Sequence, residues 1–88
     1  MISKSELAKI AAYDTKGLIG VHEELIAERM ILDKDMSEFL HLNEQTMSYD
    51  VSKYEDIWKV YHKMSAAYSE LIQVLTLTEF YMKRYSLI

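Results

Sequence analysis

The last third of the chain places residues at alternating spacings of four and three: Ile57, Tyr61, Met64, Tyr68, Leu71, Leu75, Thr78, Met82 and Tyr85. A seven-residue period sustained in this way holds a narrow stripe on one side of a slightly underwound helix, the seam geometry of coiled coils and antiparallel bundles. The tyrosines in the stripe favour a bundle over a parallel dimeric zipper. A helix over 53–86 would be about 50 Å long at 1.5 Å per residue, longer than one short neighbour can cover.

The preceding segment answers with Leu18, Leu25, Leu32 and Phe39 at intervals of seven, supported by Val21 and Met36. The two stripes are expected to pack together. Proline is absent and Gly17 and Gly20 are the only glycines, so helices can run long, and strand-like alternation is not sustained anywhere. Ser3 with Glu6 and Ser52 with Glu55 have capping-box spacing and mark helix starts. The stretch from Gln45 to Val51 is rich in residues that compete for backbone hydrogen bonds and reads as the main turn. Gly17 and Gly20 place a break or kink between Thr15 and Gly20. The pattern predicts a single all-α domain over 1–88: an antiparallel helical hairpin or three-helix bundle, dimerising into a larger helical bundle. Its helices are expected at 4–16, 18–45 and 53–86, the middle one allowing an interruption at 33–35, where Asp35 and Glu38 repeat the capping pattern.

At 88 residues a domain buries only about 60% of the surface its unfolded chain exposes, so its core is marginal without help. The absence of cysteine removes disulfides and thiolate metal sites as helpers and fits a reducing compartment. Self-association remains. Met1 to Ile10 carries Lys4, Glu6 and Lys9 and so lacks the apolar run of a secretory signal. Met64 to Met82 is too polar for a membrane span. The expectation is a cytoplasmic protein. Residues 1–50 hold ten acids against five bases, and 51–88 hold four against five, for a net charge of −4. That balance argues against nucleic-acid binding, which draws on cationic side chains to neutralise phosphates. It leaves acidic mimicry of a nucleic acid as a further alternative, although the carboxylates of Glu23, Glu24, Glu28, Asp33, Asp35 and Glu38 scatter around the helix as a solubilising face would.

Stepping about 100° per residue, Leu77 and Phe80 lie opposite the seam of the last helix, with Tyr81 on the flank. Either the N-terminal segment covers this second apolar surface or another molecule does. Trp58 stands about 120° from the seam; it either packs on Met47, Tyr49 or Val51 of the turn or serves as an aromatic anchor for a partner. Leu77, Phe80, Tyr81 and Trp58 are therefore the candidate partner-binding residues, the partners being a second copy and another protein.

Catalytic motifs are weak. Glu38 and His41 have the Glu-x-x-His spacing of carboxylate-bridged di-iron bundles, which gives the alternative of a dimeric metal-binding bundle with Glu24 or Glu28 as additional ligands. Both side chains, however, are expected to point away from the core if Leu25, Leu32 and Phe39 face it. His22 neighbours Glu23 and Glu24, but adjacent residues on a helix do not face each other. His62 falls roughly opposite the seam and is expected in solvent. Gly17-Leu18-Ile19-Gly20 lacks the following Lys-Ser/Thr of a phosphate loop, and no serine has the setting of a nucleophile. Catalysis and a bound cofactor are not expected.

The Trp-x-Gly turn of small type VII secretion partners is missing at Trp58-Lys59-Val60. Ser69-Glu70-Leu71-Ile72 likewise departs from the Ser-x-Glu-Leu-Asp signature of small sporulation phosphatases. The function expected from the sequence is that of a protein-protein interaction module, an adaptor, regulator or inhibitor acting through an apolar helix surface.

Overall fold

The computed structural model describes residues 1–47 and 54–88, with 45–47 as backbone only. The chain is all-α: α1 spans Lys4–Tyr13, α2 Gly17–Met47 and α3 Glu55–Arg84, with no strand among the described residues. α2 and α3 pack along one another, and α1 lies against both.

α1 starts where its cap places it: the Glu6 amide donates to Ser3 Oγ at 3.1 Å. It ends earlier than expected, at Tyr13, and the chain turns through Asp14 to Lys16. The turn is tight because α2 begins with i to i−3 bonds, Gly17 N–H donating to Asp14 O at 2.9 Å and Leu18 N–H to Thr15 O at 3.2 Å. A Cβ on Gly17 would lie 2.8 Å from Asp14 Oδ2 and 3.3 Å from Ile10 Cγ2, so the close approach of α1 suits a residue without a side chain. The break thus precedes Gly17, and Gly20 sits inside α2. The interruption allowed at 33–35 does not occur. α2 is continuous, because Asp33 and Asp35 are exposed and Asp33 is drawn into an i, i+4 pair with Arg29 at 3.8 Å.

α3 has Glu55 and Asp56 in its first turn and Lys83 and Arg84 in its last, complementing the helix dipole at both ends. Its N-cap residue is Tyr54, without a side-chain cap bond; Ser52, expected as the cap, lies outside the described residues. The C-terminus closes as a Schellman motif: Leu87 N–H donates to Met82 O at 2.7 Å and Ser86 N–H to Lys83 O at 3.1 Å, with Ser86 at φ 57°. Such a closure satisfies carbonyls that the helix end would leave orphaned.

The core is formed by Leu7 and Ala11 of α1, Leu18 and Leu25 of α2, and Leu71, Val74, Leu75 and Met82 of α3. Thr78 is fully buried among them, its hydroxyl donating to Val74 O at 2.8 Å. Every one of these residues belongs to the end of the molecule where α1 packs. The rest is a two-helix extension, and the whole measures 51 × 20 × 15 Å with a radius of gyration of 16.8 Å. A compact domain of this length would have about 12 Å.

Candidate interaction surface

The seam residues Ile57, Tyr61, Met64 and Tyr68 of α3 and Leu32, Met36 and Phe39 of α2 all turn inward, yet each stays only partly buried. Among the described residues no side chain from Ile26 to Glu70 reaches full burial. In the same stretch Met30, Ile31, Leu40, Leu42 and Val60 are exposed, Ile31 at 63% and Leu42 at 81%. Two helices alone present a stripe to each other and leave its flanks wet; a third element is what closes a core, and α1 is too short to reach this end.

Where α1 does reach, it takes up one flank of α3. Val74, which lies off the seven-residue seam, is buried there, and Leu77 and Tyr81 are partly buried against the core. Lys4 Nζ donates to Gln73 Oε1 at 3.1 Å where α1 begins. Phe80 stays 59% exposed and forms a shallow groove with Ile72, Thr76 and Leu77, edged by Lys4 and Gln73. Its ring meets that of Tyr81 at 6.0 Å between centroids. Leu77 and Phe80 are therefore brought together on the surface, whereas Tyr81 is mostly engaged by the fold.

Trp58 stands apart from them, about 33 Å along α3 from Phe80 at 1.5 Å per residue. Its indole lies edge-on to Tyr61 and tilted over His62, both at 5.9 Å between centroids. The expected packing on Met47, Tyr49 and Val51 falls outside the described side chains. Trp58 Nε1 is buried with no hydrogen-bond partner among the described residues, and a buried donor left so is costly. This strain of desolvation sits in the same two-helix half that lacks a core.

Glu38 and His41 are not brought together. Glu38 faces Lys34 Nζ at 4.0 Å and His41 Nδ1 faces Glu44 at 4.0 Å, all four side chains being well exposed. Among the described residues no group of three or more His, Cys, Asp or Glu is placed to hold a metal ion. Lys59 pairs with Glu55 at 3.3 Å, again within one exposed helix face.

One polar pair escaped the sequence reading. His22 Nε2 of α2 meets Glu79 Oε1 of α3 at 3.2 Å, with both side chains part-exposed. It is an ion pair when the imidazole is protonated, and it bridges α2 and α3 beside the core. Nothing in the periodicity of one helix reveals such a partner on another. No helix among the described residues is long and apolar enough to cross a membrane. No family model matches this chain, and neither a curated protein nor a solved structure matches it.

Proposed function

We propose that this chain is a protein-protein interaction module, an adaptor, regulator or inhibitor that works by presenting apolar helix surface to other protein chains, a second copy of itself among them. The observation that carries this reading is the two-helix half of the molecule, where the seam of both long helices runs on with no third helix over it among the described residues. The accessible surface supports it. At 6337 Å² for 10.4 kDa, the chain exposes about 900 Å² more than the roughly 5,400 Å² expected of a folded monomer of its mass. Each partner in a standard-size interface contributes about 800 Å². The Phe80 groove on the back of α3 offers a second, smaller place for a partner.

The test combines sedimentation of the purified chain with affinity capture from the native host, comparing wild type with Ile31→Glu and Phe80→Asp. The reading expects self-association or a specific captured protein, lost in at least one variant. A strict monomer at high micromolar concentration that retains no protein would refute it.

A further inference from the structure

Gly17, Ile31 and Leu42 lie within about 40° of one another on α2, stepping 100° per residue. At the first of these α1 comes close to α2, a Cβ on Gly17 meeting Ile10 of α1 and Asp14 of the turn. The line that α1 occupies at one end of α2 is thus continued at the other by Ile31 and Leu42, two of the most exposed large apolar side chains. On α3 the flank that α1 covers at Val74 and Tyr81 is continued by Lys63 and Ala67, with the exposed Val60 nearer the seam. The groove between the long helices therefore carries on beyond α1, its walls now mixing these apolar residues with charged ones and no third helix of the described residues lying over it.

We infer that the occupant is a second copy of this chain, docked face to face and antiparallel through the two-helix half, so that the two long helices of each copy form one four-helix bundle with an α1 at each end. This rests on the reading of the chain as a protein-binding module and names its first partner. Two observations select a second copy, and symmetry then sets the pairing. The surplus surface matches the share one chain gives to a standard interface. The uncovered half already consists of two antiparallel helices with seven-residue seams, which is half of a four-helix bundle, and an identical half supplies the same period and length. A two-fold axis across the long direction sets each α2 against its counterpart, running oppositely. Ile31 of one copy then meets Leu42 of the other, and the converse contact follows by symmetry. The reverse choice, with both copies pointing the same way, would drive the two α1 helices into each other.

The charges near this line are Glu24, Glu28, Asp35 and Glu38 on α2 and Asp56, Lys59, Lys63 and Glu70 on α3, with Lys34 already beside Glu38. The edges of α2 that approach one another are thus predominantly acidic. Pairing should tighten as salt rises, because screening weakens their repulsion.

Sedimentation equilibrium of the full chain across micromolar concentrations and two salt levels tests this. The expected result is a monomer-dimer equilibrium, strengthened by salt and weakened about thirty-fold or more in Ile31→Glu/Leu42→Glu, as loss of a central apolar contact would give. Circular dichroism checks that the variant remains helical. A second measurement does not depend on the variant's folding: the chain has no cysteine, so an equimolar mixture of Ile31→Cys and Leu42→Cys should cross-link under mild oxidation, and neither alone. A dimer untouched by the double Glu variant, or cross-linking of each cysteine variant on its own, would overturn the arrangement. A monomer that still captures another protein through Ile31 and Leu42 would overturn self-pairing while leaving the module reading intact. A monomer that captures nothing would remove both.

Discussion

Gly17 and Gly20 stand one turn apart at the head of α2 and answer to different demands. Nothing lies within 4 Å of a Cβ added at Gly20, so its flexibility only weakens the helix. Gly20→Ala is expected to stabilise by about 0.5–1 kcal/mol, raising Tm by roughly 2–8 °C in a domain of this size. At Gly17 the same change meets Ile10 and Asp14, and the gain should be cancelled or reversed; thermal melts of the two variants side by side check the contrast. Ser86 offers a third case. It holds φ 57°, a left-handed conformation that costs a residue with a Cβ about 1 kcal/mol. Ser86→Gly should recover about that amount in chemical denaturation, because the Schellman bonds to Met82 and Lys83 remain available. The sequence offered no sign of this closure, since a helix end is usually announced by the glycine that is missing here.

At the scale of elements, the long helices were legible because each bears a stripe whose period is written in residue type: Leu18, Leu25, Leu32 and Phe39, and the seam from Ile57 to Met82 of α3, Tyr85 falling just past the helix end. The all-α class follows from those stripes and from the lack of proline. What α1 covers was not legible. Val74 lies off the seam, and its burial depends on how far a ten-residue helix extends along a neighbour, which is a matter of tertiary length rather than local pattern. The extent to which Leu77 and Tyr81 are engaged depends on the same placement. Of the candidate site, therefore, the second apolar surface could be read from the spacing of Leu77 and Phe80, but not which part of it α1 takes. α1 is held chiefly by Leu7, fully buried. Leu7→Ala should cost about 2–5 kcal/mol, against less than about 0.5 kcal/mol for Leu42→Ala at an exposed site in dilute solution. Urea titrations at concentrations where the chain is monomeric measure both.

Across the whole molecule the two ends differ in what holds them. One has a closed apolar core of three helices; the other relies on a half-wet seam and exposed i, i+4 pairs. Local opening follows buried contact, so amides in 28–44 and 55–66 should exchange with deuterium well before those in 71–82 at low concentration. If a second copy docks, that difference should shrink as concentration rises, whereas a permanently monomeric chain would show none of this dependence. The brevity of α1 then acquires another meaning. A hairpin with its groove open along its full length would offer overlapping positions to neighbour after neighbour and could grow into a fibre. In the proposed pairing α1 would fill one end of that groove within its own chain and make assembly self-limiting, since two copies would use up the groove and leave none for a third.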